Sequence, residues 1–355
     1  MRWTVNGFIS VLMLLSASVT NTTWAQAPRE DTSDLTMKGR KLSSQDADDL
    51  EAKLKANPND LSIRAILLGY YFGKDERPII ETRQNHILWV IENHPESELA
   101  GRPECEVNQF LNQEHFSQAK KTWLNQLELH KNEVTVVGNA ANFFFLADKE
   151  LAESLLKQAE IMDPNNPEWP EQLGFLYSLE LENTFGKTRG EAASRSLEKY
   201  ERALSLADNE FNEAGLLGSV ANASFEAGKL VRAKAIASHL LDKYGHDKDS
   251  VPYDDAVFEG NQVLGRVALR EGNIARAKRH LLASARISGS PVLSSFGPDM
   301  TLAKELLEKG QKTVVLEYLH LCATFWNKAA RLKDWEDDIG KGRMPDFGRL
   351  FDQKY

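Results

Sequence analysis

The 355 residues carry 43 Lys+Arg against 52 Asp+Glu, a net charge of −9, with 42% hydrophobic and 27% charged residues. That balance argues against a phosphate-tracking nucleic-acid binder, which needs its basic residues segregated into a stripe that this sequence lacks. It describes an ordinary folded chain, long enough for two conventional domains or one extended array of repeats.

The first element, residues 1–27, reads as a bacterial-type signal peptide. Arg2 supplies the positive charge, and Phe8 to Val19 form an apolar run shorter than the roughly 20 residues that span a bilayer. Trp24-Ala25-Gln26-Ala27 then offers an A-x-A cleavage pattern. Pro28 disfavours cutting after Ala27, so cleavage after Ala25 is the alternative, and an uncleaved anchor is the third reading. The expectation is an exported chain, periplasmic or secreted, with no transmembrane segment in its mature form. Export implies an oxidising compartment, but the only cysteines are Cys105 and Cys322, far apart in the chain. Both read as small buried hydrophobes rather than as a disulfide pair.

Residues 28–45 are polar and aperiodic and read as a flexible linker. From residue 46 onward apolar residues recur at helical spacing and strand-like alternation never persists, so the expected fold class is all-α. Residues 46–130 form an irregular helical region, in which Leu68-Gly69, Phe72, Ile87, Val90 and Pro95 mark a degenerate helix pair. Residues 131–328 form a more regular array. Its clearest unit has Val136, Ala140, Phe143, Ala152, Leu156, Ala159 and Pro164: small residues admit close helix approach, larger ones fill the gap, and the proline ends the second helix.

Leu173, Gly174 and Tyr177 open the next unit, and Ser196, Tyr200 and Ala203 complete it after a polar insertion. Leu217, Ala221, Gly228, Ala233 and Ala237 make another, and Leu264, Gly265, Ala268, Gly272, Ala277, Leu281 and Ser284 one more. Leu302, Ala303, Gly310, Leu319 and Cys322 form a degenerate last unit. In the irregular stretch 288–300, Asp299 or Thr301 is expected to cap the next helix, and Phe296 to plug the end of the array against Phe325 and Trp326. Residues 329–355 read as an amphipathic capping helix and tail, needed because a last repeat otherwise exposes its apolar face.

These spacings resemble the tetratricopeptide repeat (TPR) family. The resemblance implies a right-handed α-solenoid of TPR helix pairs with irregular end units, in which the first helix of each repeat lines a concave groove. Transferred residue by residue, the groove positions include Phe144 and Phe145, then Phe175, then Asn222, Gln262, Arg266 and Lys304. Such a groove starts aromatic and ends amide-rich and basic. It suits a protein or peptide partner with hydrophobic anchors toward one end and a carboxylate toward the other. The lysines that would accompany Asn222 in a chaperone-tail clamp are missing. The competing reading makes the phenylalanines core fillers, and the cations solvated faces.

Chemistry is expected to be absent. The sequence holds no H-E-x-x-H, G-x-S-x-G, G-x-G-x-x-G or C-x-x-C. Gly186-Lys187-Thr188 imitates the tail of a phosphate loop, but Leu181 stands where the first glycine belongs. Asp247-x-Asp249 begins like a calcium loop and lacks its turn glycine. The eight histidines show no metal spacing. No catalytic, cofactor-binding or metal residue is therefore assigned. The favoured reading is an exported scaffold that binds a polypeptide. The alternatives are an accessory or catalytic subunit with an unrecognised site, or a self-associating envelope protein.

Overall fold

A computed structural model describes residues 31–347 except 75, 111, 182, 183 and 185. The signal peptide assigned to 1–27 and the tail from 348 onward lie outside the described residues. The described residues form α-helices and short 3-10 turns with no strand, so the chain is all-α. They divide into two compact units, one running to Asn165 and the other starting at Asn166.

The N-terminal unit holds α1 (Thr32–Gly39), α2 (Ser44–Ala56), α3 (Leu61–Tyr71), α4 (Arg77–Asn93), α5 (Gln113–Leu129), α6 (Val134–Phe144) and α7 (Lys149–Met162). Its first helix corrects the linker expected over 28–45. Asp31 accepts from the Ser33 N–H at 2.9 Å, and Ser43 with Asp46 forms a capping box on α2. Helix α1 packs on α3 backbone to backbone. A Cβ on Gly69 would lie 2.0 Å from the Thr36 carbonyl oxygen, and one on Gly39 would lie 1.9 Å from that of Ile66. Contact made through glycines needs no apolar stripe, which is why helical periodicity did not reveal this helix.

Two polar clasps hold the unit. Glu104 is fully buried, with Arg40 donating to one of its oxygens at 2.9 Å and the Arg102 Nε ion-paired 3.4 Å from the other. Arg64 Nη1 lies 3.0 Å from His86 Nδ1; a guanidinium only donates, so the imidazole carries its proton on Nε2, 2.8 Å from Glu51. Tyr71 donates to the same Glu51 oxygen at 2.8 Å. The aromatic core stacks Phe116 on Phe143 at 5.9 Å, sets Phe144 edge-on to Phe143 at 5.0 Å, and buries Trp123 completely.

The C-terminal unit holds α8 (Glu168–Glu180), α9 (Gly186–Leu204), α10 (Glu210–Glu226), α11 (Leu230–Tyr244), α12 (Tyr253–Arg270), α13 (Ile274–Ser284), α14 (Pro291–Phe296), α15 (Thr301–Glu308), α16 (Lys312–Cys322) and α17 (Ala329–Gly340). Sequential helices pack together from α8 to α13, and α10 also touches α12 as α12 touches α15. Three helix pairs share one turn. Gly228, Gly272 and Gly310 have φ of 72°, 75° and 75°, the left-handed region that glycine enters without a Cβ penalty. In each case the next residue's N–H reaches back to close the helix: Lys229 to Ser224 at 2.8 Å, Asn273 to Ala268 at 2.8 Å, and Gln311 to Leu306 at 3.0 Å.

The expected capping helix is present as α17, which buries Leu332, Trp335 and Ile339 in the same core as Trp326. The stretch before α15 differs from expectation in one respect. Leu293, on the short α14, and Met300 enter the core, whereas Phe296 is only half-buried. The stretch meets Phe325 and Trp326 through Gly289 and Gly297, where a Cβ would approach those side chains within 2.4 and 2.5 Å. Asp299 caps the following turn by accepting from the Thr301 N–H at 2.8 Å. Both cysteines are free and buried.

A mixed-charge cleft as the candidate functional site

Equivalent turns put equivalent residues in phase. Asn222, Arg266 and Lys304 each stand six positions before a turn glycine, on α10, α12 and α15. Arg266 sits in the middle of this row and is buried. It donates from Nη1 to Asn222 at 3.2 Å, from Nη2 to Glu226 at 2.9 Å and from Nε to Glu305 at 3.2 Å. Its guanidinium also lies over the Phe225 ring, 4.1 Å from the centroid. Glu226 is shared with Arg189, which donates to its second oxygen. Burial opposes ionisation of Glu226, but the charges of Arg266 and Arg189 outweigh it and hold the carboxyl below its ordinary range.

This network floors a cleft of about 830 Å³. Arg270 and Lys304, both exposed, supply its open cations, and Phe225, Trp335 and Phe347 give it aromatic walls. Glu308 and Asp299 also line it, so the surface is mixed in charge rather than basic.

The sequence-derived residues fall into three groups. Arg266 and Lys304 line the cleft, and Asn222 reaches it only through its hydrogen bond with Arg266. Gln262 and Phe175 lie elsewhere in the same unit. Gln262 is buried and its amide donates to Ser284 Oγ at 3.0 Å and Tyr318 Oη at 3.3 Å, tying α12 to α13 and α16. Phe175 is half-buried against the cluster of Leu197, Tyr200 and Leu216. Phe144 and Phe145 belong to the N-terminal unit, 0% and 1% exposed, and offer no ring surface to a ligand. The aromatic start of the expected groove is core. At the end expected to be basic, cations and carboxylates are interleaved, and the central arginine is already paired with two carboxylates.

Arg189 and Glu305 were not singled out by the sequence. Glu305 follows Lys304 directly, so the row that located Lys304 also pointed to its neighbour. Arg189 lies within the polar insertion, in the first turn of α9, where no repeat position points to it.

A second feature of the unit is acidic. Glu171 on α8 is pushed up to about 7 by burial, reinforced by the charge of Glu168. Glu259 on α12 is also raised, by the enclosing protein first and then by Asp299 and Asp255, although its side chain still reaches water. Its stem covers Gly218 of α10, where a Cβ would come within 3.2 Å. The buried Tyr200 phenol feels both carboxylates and bonds to Ser178 and Ser219. Among the described residues no group of three or more potential ligands could hold a metal ion, and no helix is long and apolar enough to cross a membrane.

No protein-family model matches the chain, and no curated protein matches it either.

Proposed function

We propose that this chain is an exported, TPR-like helical scaffold that binds a carboxylate-bearing segment of another polypeptide in the cleft of its C-terminal unit. The observation that carries the reading is the in-phase row of Asn222, Arg266 and Lys304 beside Phe225 and Trp335. Arg266 is pre-organised by its partners and fixes the cleft floor, while Arg270 and Lys304 remain exposed to meet an incoming carboxylate. Phe347, half-buried against Trp335, supplies the apolar contact at low entropic cost.

The test immobilises the mature chain and captures partners from the envelope fraction, comparing wild type with an Arg270→Glu, Lys304→Glu double variant. Both sites are exposed, so the variant should keep its melting temperature and lose the retained protein. Equal retention by both forms would sink the reading. Export is tested separately by N-terminal sequencing of the secreted form, expected to begin at Gln26 or Pro28.

Glu171 and Glu259 favour a second reading, in which this unit exchanges protons with a bound ligand. Two carboxyls whose surroundings raise them above the usual range, both felt by the buried Tyr200 phenol, fit general acid–base work. Carboxyl-carbon NMR distinguishes the readings: if both groups titrate below pH 5, the acid–base role is excluded.

A further inference from the structure

The N-terminal unit carries a second cleft of about 830 Å³, along the outer face of α5. Its lining includes Phe110, Gln113, Phe116, Lys120, Lys121 and Leu124, and no carboxylate lines it although the chain as a whole bears nine more acids than bases. Phe110 is 72% exposed and Leu124 43%, so two large apolar side chains of one cleft present surface to water. The floor is rigid: Phe116 stacks on the buried Phe143, and Lys120 is anchored to Asp148 at 2.6 Å. Among the described residues Lys121, one position on, is exposed and pairs with no carboxylate.

We propose that this α5 face docks an acidic amphipathic helix of a partner protein. Gln113, Ser117, Lys120 and Leu124 follow one another at steps of three and four along three turns of α5, a ridge of roughly 16 Å at 1.5 Å per residue with Lys121 on its flank. A second helix laid beside such a ridge buries its own apolar stripe on Leu124 and Phe110. Its flanking carboxylates meet Lys121 and the exposed side of Lys120. Charge complementarity selects an acidic occupant here against the general repulsion of a chain at −9. The site lies in a different unit from the cleft of the proposed function and does not depend on that reading.

The probe is a fluorescein-labelled, end-capped peptide about four helical turns long, with Leu at i, i+3, i+4 and i+7 and Glu and Ala elsewhere. A Lys-for-Glu counterpart serves as control, with fluorescence anisotropy on the full chain as the readout. The Glu peptide should bind, Leu124→Asp should weaken it at least tenfold, Lys121→Glu should weaken it, and Lys121→Arg should preserve it. Added salt should weaken binding to wild type more than to Lys121→Glu. Unchanged helical circular dichroism certifies that each variant is folded. Failure of the Glu peptide to bind, or equal binding to wild type, Leu124→Asp and Lys121→Glu, overturns the proposal. So does stronger binding of the Lys peptide that Leu124→Asp abolishes. If the Leu124-dependent interaction is instead with phosphatidylserine–phosphatidylcholine vesicles, or is a concentration-dependent dimer, the face serves a membrane or a second copy, and the proposal is likewise wrong.

Discussion

Replacing Arg266 with Met tests how the C-terminal cleft is held. The methionine keeps much of the aliphatic stem and deletes the charge that Glu226, Glu305 and Asn222 share. Removing one partner of a buried ion pair costs about 3–5 kcal/mol. Two features reduce that here: Glu226 keeps Arg189, and the Glu305 side chain, 23% exposed, can turn to water. The expected loss is therefore about 2 kcal/mol, or about 4–8 °C in the melting of a unit of this size.

The loss should depend on pH, with a definite sign. In the wild type Glu226 is held below its unfolded range, so it contributes stability at neutral pH that disappears as pH falls through its lowered folded value. In Arg266→Met, burial is less opposed and the carboxyl moves up. The destabilisation should then be largest at pH 8 and shrink toward pH 5, where protonation removes the uncompensated charge. Urea unfolding by circular dichroism at both pH values measures this, with Arg266→Met, Glu226→Leu as the double variant. A loss under about 0.5 kcal/mol, the range of an ordinary surface substitution, or one that grows toward pH 5, would refute the argument.

Other substitutions probe the remaining features. Gly69→Ala drives a Cβ to 2.0 Å from the Thr36 carbonyl oxygen, so it should cost about 1–3 kcal/mol and free α1 first in hydrogen exchange; unchanged α1 protection would count against the crossing. Glu171 is raised to about 7, so its folded-state stability is present at low pH and lost as pH rises through that value. Glu171→Gln should accordingly melt above wild type at pH 8 and close to it at pH 5; the reverse order would mean that the carboxyl is ionised and paired. Burial pushes the Cys322 thiol up to about 12 and raises Cys105 as well. Neither should react with a disulfide reagent at pH 8 until denaturant is added, and rapid labelling of the native chain would show that one of them is reachable.

The parts of this fold that were legible in the sequence are those made by side-chain periodicity. Ala140, Ala159, Ala221, Ala233, Ala268 and Ala277 marked close helix approach and all are buried. Gly228, Gly272 and Gly310 marked the turns, and Leu332, Trp335 and Ile339 gave the final helix its inner face. Helix α1 was hidden because its contact with α3 runs through backbone at Gly39 and Gly69, a feature with no apolar signature. Leu293 is buried while Phe296, three residues on in α14, is half-buried, a difference that spacing alone does not encode.

The candidate site was half legible, for a related reason. Distance from a turn glycine predicts which way a helix residue leaves the backbone, and so groups Asn222, Arg266 and Lys304. It does not predict what stands opposite. Phe144 and Phe145 face a neighbouring helix layer rather than solvent, and Arg266 meets Glu226 and Glu305 from two other helices. Partners contributed by distant segments are decided by packing, and no local pattern announces them.

The shared turn at Gly228, Gly272 and Gly310 also bears on how such a chain can change length. A gene segment excised between Gly228 and Gly272 would join two termini that already have nearly the same φ and the same backward hydrogen bond. The register of the joined helices would survive, because each glycine fixes the phase of what precedes it. Duplication between the same points would do likewise, whereas a break in mid-helix would rotate every later side chain off its face. The glycines are thus natural recombination joints, and shuffling at them offers a way to lengthen or shorten this half of the molecule while leaving its surfaces in step.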